Sequence, residues 1–224
     1  MAAETVLEPP PASRSALLSS VTTTVERLQR DALGLGTDRA RQHARTTLSH
    51  LRRSVGNKPE QDPLVWQKVI DLLTPEMPEQ LFGTGESPSP SEAAAFDALC
   101  LFALHLQGAN APAHRRGRSF GTAVGILAGT RESKSIRPRM DALLASRDHP
   151  SRMQHARSLI TLLKGTAPIP LDYGLFALDL RKLAGPDPDG VLLRWGRDVV
   201  TGPAREKRRD DPQNSPTSDE STQN

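Results

Sequence analysis

The chain has 224 residues, an apolar fraction of 36% and a formal net charge of +3. This length allows one large domain or two small ones, and the modest apolar fraction predicts a packed core that does not use the whole chain. The single cysteine, Cys100, excludes an internal disulfide framework and a cysteine-ligated zinc site within the chain, and it favours a reducing cytoplasm.

The first 56 residues predict a flexible arm followed by two helices. Residues 1–12 hold three consecutive prolines and little to bury, which is typical of a flexible arm. Apolar residues at three- and four-residue steps predict a helix over 13–33. A second helix is predicted over 37–55, with Thr37 as its cap and Gly56 after its end.

Residues 57–112 are acidic, with two lysines against eight acids. Nucleic acid is expected to avoid this segment. After a short helix predicted over 63–73, Ser91 is expected to cap a helix that is apolar on nearly all sides and therefore central and buried. The apolar run 93–106 is shorter than the roughly 20 residues that a membrane span needs. We therefore expect no membrane span, and the N-terminus shows no signal-peptide pattern.

Residues 113–164 collect the positive charge of the chain. Eleven arginines and lysines stand against three acids, a net charge of +8 in 52 residues. Such a concentrated field indicates a polyanionic partner, most commonly a nucleic-acid backbone. Aromatic residues are only 4% of the chain, so stacking of bases on aromatic platforms is disfavoured and phosphate contact is favoured.

The remaining helices continue through this basic half. Gly121 and Gly125 lie four residues apart on the first of them and would permit close approach of a neighbouring helix. The predicted ranges are 119–129, 135–146, 151–164, 171–183 and 190–200.

No segment shows the alternation that is typical of a strand. The sequence therefore predicts an all-α fold of two small helical bundles packed together, residues 13–112 and 113–203. A disordered arm is expected before them, and a disordered tail over 204–224, where the composition turns polar.

No catalytic or metal centre is predicted, and no cofactor. His105 lies in the apolar helix and is interpreted as a hydrogen-bonded core histidine. His149 and His155 are six residues apart, which does not match the four-residue spacing of a zinc-binding helix. Gly83 and Gly85 are followed by an acid, not by the Lys and Ser or Thr of a phosphate loop.

Six short motifs follow one another along the chain. They are LSHLRRSVG (48–56), GRSFGTAVGIL (117–127), RPRMDALLASRD (137–148), ARSLITLLKG (156–165), IPLDY (169–173) and LLRWGRDVV (192–200). In their order and spacing these motifs resemble the small-subunit (CasB) family of the type I-E CRISPR effector complex, Cascade. Pro138 and Ser158 depart from the family pattern, because each replaces one member of an arginine pair.

This resemblance implies a non-catalytic, all-helical protein that is present as two copies along the inner face of Cascade. It would contact the backbone and large subunits, the CRISPR RNA, and the target and non-target DNA strands, and it would steady the R-loop through basic residues. Because the guide reads sequence by base pairing, the protein needs only phosphate contacts.

The candidate nucleic-acid-binding residues are cations that helical geometry places on flanks or exposed faces when the apolar stripes point inward. We expect them to form one continuous basic track, with few other partners on those faces. They are Arg52, Arg53, Arg115, Arg116, Arg118, Arg137, Arg139, Arg157 and Lys164.

Two alternatives remain open at this point. A free-standing helical DNA-binding regulator would insert a recognition helix into a major groove, and Arg152, Gln154, Arg157 and Ser158 could supply its exposed face. A protein-binding adaptor would bind no nucleic acid at all.

Overall fold

The computed structural model describes residues 11–73, 77–130, 135–165 and 167–210, and the predicted all-α fold is confirmed for them. Of the arm predicted over 1–12, residues 1–10 lie outside these ranges, as does the predicted tail beyond 210. Residues 11 and 12 are described and belong to the first helix, so the prediction of a flexible arm is wrong for these two. Regular sheet is absent from the described residues, which hold one isolated bridge between His114 and Leu171. The helices are α1 (Pro11–Ala32), α2 (Asp38–Arg53), α3 (Pro63–Leu73), α4 (Pro90–His105), α5 (Phe120–Thr130), α6 (Ile136–Ala145), α7 (His149–Leu163), α8 (Tyr173–Leu183) and α9 (Asp189–Arg209).

The start of α4 differs from the prediction that Ser91 caps it. Ser89 is the N-cap, and its hydroxyl accepts from the amide of Glu92 while the Glu92 carboxylate accepts from the amide of Ser89. Pro90 occupies the first helical position, where its fixed φ suits the helix and its missing N–H costs nothing. The cap therefore sits two residues earlier, and Ser91 is buried.

Other helix starts follow local capping chemistry. The Thr37 cap is confirmed, because its hydroxyl accepts from Ala40 N at 3.2 Å. Helix α7 begins two residues before the predicted Ser151, since Asp148 is its cap and accepts from Ser151 N at 2.8 Å. Helix α8 is capped by Asp172 and begins two residues after its predicted start.

Helix α9 runs to Arg209, although its predicted end is Val200. Pro203 lies inside it and removes one backbone hydrogen bond, which costs about 3 kcal/mol in a helix interior. Tertiary contacts outweigh this cost, because Gly202 packs against the side chain of Thr122 and Glu206 is ion-paired. Residues 204–209, assigned to the tail from composition, are therefore helical.

Helix α4 is the centre of the fold, as its pattern predicts. Phe96, Leu99 and Phe102 are fully buried in it, and α1, α2, α3, α7 and α8 all contact it. The buried side chains form one continuous cluster. Helix α8, from the basic half, packs on α1 and α4, and the division into bundles at residue 112 stays a prediction. Within the described ranges, no helix is both long and apolar enough to cross a membrane.

Helices α5 and α9 approach each other at backbone distance. A Cβ at Gly121 would lie within 3 Å of the carbonyl oxygen of Trp195, and one at Gly125 within 3 Å of that of Val199. The predicted role of these two glycines is therefore confirmed. Their close packing fixes α9 along α5 and brings the end of α9 to the loop over residues 115–118.

Candidate nucleic-acid interface

The last turn of α2 carries two of the predicted cations. Leu48 and Leu51 point into the core, which leaves Arg53 exposed and Arg52 half-buried. Burial lowers the pKa of Arg52, and the like charge of Arg53 lowers it further. A neighbouring cation is thus part of the local environment of Arg52.

Helices α6 and α7 bring two more cations to this place. Arg157 donates through Nη1 to the carbonyl of Val55 at 3.4 Å, one turn after Arg52. From α6, Arg139 donates to the hydroxyl of Ser158, the neighbour of Arg157, at 2.5 Å. Together Arg52, Arg53, Arg139 and Arg157 are here named the α2–α7 cluster.

The α2–α7 cluster holds no ion pair to any carboxylate within the described part of the chain. Asp62 lies beside the same turn, where it accepts from the Ser54 hydroxyl at 2.5 Å and from the amide of Val65 at 3.3 Å. Its oxygens are thus occupied by neutral donors. No described carboxylate therefore compensates the positive charge of these four side chains, which leaves them available to an external anion.

Two other predicted cations lie on the same pair of helices. Arg137 is exposed in the first turn of α6. Lys164 is the C-cap of α7 and donates to the amide oxygen of Gln107 at 2.9 Å. Both are free of ion pairs to the carboxylates that the structure describes.

Arg115 and Arg118 have a different environment, because the end of α9 pairs with them. Arg118 lies 2.7 Å from Glu206, and both side chains are only 10% exposed. Arg115 contacts Glu206 at 3.1 Å and Asp210 at 2.5 Å. The expectation that few partners face the predicted cations is wrong for these residues, because composition alone assigned Glu206 and Asp210 to the tail.

Arg116 also has an acidic partner, Glu26 of α1. It donates to Glu26 through two nitrogens, at 2.5 and 2.7 Å. This hydrogen bonding lowers the pKa of Glu26 and raises that of Arg116. Arg116 is still 67% exposed, so salt and competing anions reach this pair more easily than the Arg118 pair.

The nine predicted residues thus fall into two groups. Contacts link Arg139 to α7 and Arg157 to the turn after α2, whereas Arg115, Arg116 and Arg118 are held by acids of α1 and α9. A continuous track through both groups stays a prediction.

The recognition helix of a free-standing regulator would need Arg152 on its exposed face. Arg152 is buried, and it donates to the carbonyls of Ser146 at 3.0 Å and Leu183 at 2.9 Å. Ser158, on the same predicted face, accepts from Arg139. The prediction of an exposed reading face on α7 is therefore wrong at Arg152.

The buried histidine of α4 plays the structural role predicted for it. Nδ1 of His105 lies 3.0 Å from the hydroxyl of Tyr173, and burial lowers the pKa of His105 to about 4. His149 lies 2.9 Å from Asp97, which ties the start of α7 to α4. Within the ranges described, no group of three or more His, Cys, Asp or Glu residues could hold a metal ion.

Known structures show the same fold. The crystal structure of CasB from Thermobifida fusca is 26% identical, covers 83% of this chain and 98% of its own, and superposes with a TM-score of 0.64. A CRISPR RNA-guided surveillance complex contains a chain that is 18% identical, with a TM-score of 0.57 over 87% of this chain and 99% of that one, which shows the fold alone. No curated protein sequence matches the chain.

The family described as CRISPR-associated protein Cse2 matches residues 47–198, more than half of the chain. The match includes the end of α2 and all of α3 to α8, and it stops at Asp198 within α9. On this match and the CasB fold, the chain belongs to the Cse2 family, the CasB small subunits of type I-E Cascade.

Proposed function

We propose that this chain is a non-catalytic, nucleic-acid-binding small subunit of the Cascade surveillance complex in antiviral defence. It stabilises the R-loop of guide RNA and target DNA, and the displaced strand, through contacts to the phosphate backbone. The observation that carries the proposal is the α2–α7 cluster: Arg157 reaches the turn that follows Arg52 and Arg53, Arg139 binds the neighbour of Arg157, and none of the four has an ion pair to a described carboxylate.

Such a cluster favours a polyanion for an electrostatic reason. Like charges repel one another, as the lowered pKa of Arg52 beside Arg53 reflects in part. A phosphate backbone relieves this repulsion and releases its condensed counterions. No reading of bases is needed, because the guide RNA supplies sequence specificity by pairing.

The proposed partners follow from the same assignment. They are the backbone and large subunits of Cascade, a second copy of this chain, CRISPR RNA, and both strands of the target DNA, in the cytoplasm. The structural likeness to a chain of an RNA-guided surveillance complex supports assembly of this kind.

The test is a double charge reversal, Arg139→Glu with Arg157→Glu, in reconstituted Cascade and in the isolated protein. We expect the plot of log affinity against log salt to become shallower by about 1.4 for single-stranded DNA, which corresponds to two lost phosphates. The matched control is Arg27→Glu with Lys68→Glu. It changes the net charge of the protein by the same amount as the test variant, but at positions on α1 and α3.

Two results would contradict the proposal. One is target DNA that binds the variant complex and the wild-type complex equally well. The other is protection of Arg139 and Arg157 by neighbouring subunits, which would make the cluster an assembly surface. Wild-type protein that binds no nucleic acid at any salt concentration would favour the protein-binding adaptor.

A further inference from the structure

In the second half of α9, the acidic side chains face the protein and most of the basic side chains face solvent. Two acids face the body of the protein: Asp198 is buried and accepts from the Ser119 hydroxyl at 2.7 Å, and Glu206 is 10% exposed in its pairs with Arg115 and Arg118. The same half carries five exposed cations. The solvent side holds Arg197, Lys207 and Arg208, and Arg205 lies at its edge beside Asp198, whereas the guanidinium of Arg209 turns back to Gly117 in the loop.

Helical geometry aligns the outward cations. With 3.6 residues per turn, Arg197 and Arg208 lie within about 20° of each other around the axis, and Arg205 and Lys207 flank them. The distance from Arg197 to Arg208 along the helix is about 16 Å, which matches the rise of roughly five nucleotides of one strand. This stripe is here named the α9 outer face.

Stabilisation of the helix end explains only part of this pattern. Lys207, Arg208 and Arg209 lie in the last turn, where cations favour the helix macrodipole. Arg197 and Arg205 lie before that turn. The described carboxylates form one ion pair with these five cations, Arg205 to Asp198 at 3.6 Å, and Arg205 is 56% exposed, so this pair is weak.

The α9 outer face is also held in place. Glu206 binds Arg118 and Arg115, and Gly202 packs on Thr122. The loop arginines therefore act as positioning residues that anchor α9, and their own charges are compensated. A surface that is rigid before binding loses less entropy on binding.

We propose that the α9 outer face is a second binding surface for a nucleic-acid phosphate backbone, in addition to the α2–α7 cluster. The proposal rests on the proposed function, since it assumes a nucleic-acid partner. It assigns that role to residues that, except for Arg197, lie beyond the matched family segment, which ends at Asp198.

The experiment measures binding of the full chain to a 20-nucleotide oligo(dT) by fluorescence anisotropy over a range of salt concentrations. Lys207→Glu with Arg208→Glu should make the slope of log affinity against log salt shallower by about 1.4. The control, Arg27→Glu with Lys68→Glu, should leave the slope unchanged. Cations in the last turn also stabilise the helix, so circular dichroism of each variant checks that α9 still forms. The neutral variant Lys207→Gln with Arg208→Gln removes the same two charges without placing acids at the helix end.

Each other outcome overturns the inference in a distinguishable way. An unchanged slope in the α9 variant, with a loss in Arg139→Glu/Arg157→Glu, removes the second surface and leaves the proposed function intact. Equal losses in the α9 variant and the control would show a net-charge effect alone. Leu193 and Val200 are exposed on the same side of α9, with Val200 between Arg197 and Lys207, so a protein partner is the competing occupant and poly-L-glutamate is a second probe. Its equal binding would indicate an acidic protein partner, and absence of binding to oligo(dT) by the wild type would remove both proposals.

Discussion

Arg118 and Glu206 form the most enclosed ion pair of the basic half, and Arg118 also donates to the carbonyl of Pro170 at 3.3 Å. Replacing Arg118 by Met leaves the carboxylate of Glu206 poorly solvated and removes an anchor of α9. We expect Arg118→Met to lower the free energy of unfolding by about 3 kcal/mol, at the lower end for breaking a buried pair. Urea unfolding followed by circular dichroism measures this.

Arg115 provides the matched control, because it pairs with Glu206 and Asp210 at a more exposed position. Arg115→Met should cost at most about 1 kcal/mol. Equal losses in the two variants would show that burial does not distinguish the pairs.

His105 makes the stability of the fold dependent on pH. Its pKa is about 4 in the folded protein and about 6.5 when exposed. Between these values the unfolded chain binds a proton that the folded chain does not, so stability falls as the pH drops from 6.5 to 4. This histidine alone accounts for a loss of about 3 kcal/mol across that range.

The measurement compares the wild type with His105→Gln by urea unfolding at pH 7 and pH 4. We expect the wild type to lose about 3 kcal/mol more than the variant, since contributions of other groups cancel. The same pH dependence in both proteins would rule out titration of His105 as the cause.

At the scale of elements, the contact between α5 and α9 depends on Gly125. A methyl group there would meet the backbone carbonyl of Val199, which cannot move without displacing α9. We expect Gly125→Ala to destabilise the protein by about 1–3 kcal/mol, the usual cost of overpacking. Thermal unfolding measures the change.

Gly129 tests whether this effect is due to packing. It lies on the same helix, and nothing would contact its Cβ within 4 Å. Gly129→Ala should therefore stabilise the protein by up to about 1 kcal/mol through helix propensity. A gain at both positions would mean that the helices are farther apart than described.

At the scale of the whole molecule, charge is separated into a basic half and the acidic segment over 57–112, and no described group of side chains is arranged to hold a catalytic ion. We expect labelled single-stranded DNA and RNA to stay intact with the protein and Mg²⁺ or Mn²⁺, because metal-assisted hydrolysis needs such a group. Denaturing gels check this. Cleavage that a single Asp or His substitution abolishes would contradict it.

The sequence by itself determined the all-α class, the approximate positions of the helices and the family. These depend on local patterns: apolar spacing defines a helix face, Thr37 and Gly56 mark boundaries, and Gly121 and Gly125 mark a close approach. Each signal lies within about one turn of the residues that it governs, so it can be read without the fold.

The tertiary structure decided which cations keep their charge free. Arg118 and Arg157 look equivalent in sequence, yet Arg118 pairs with the carboxylate of Glu206, 88 residues away, whereas Arg157 donates to the neutral carbonyl of Val55, 102 residues away. Tertiary contacts also extend α9 beyond Pro203, although a proline locally favours the end of a helix. Both outcomes depend on contacts between distant segments, whose energies of a few kcal/mol exceed local propensities and have no signal in the sequence near either residue.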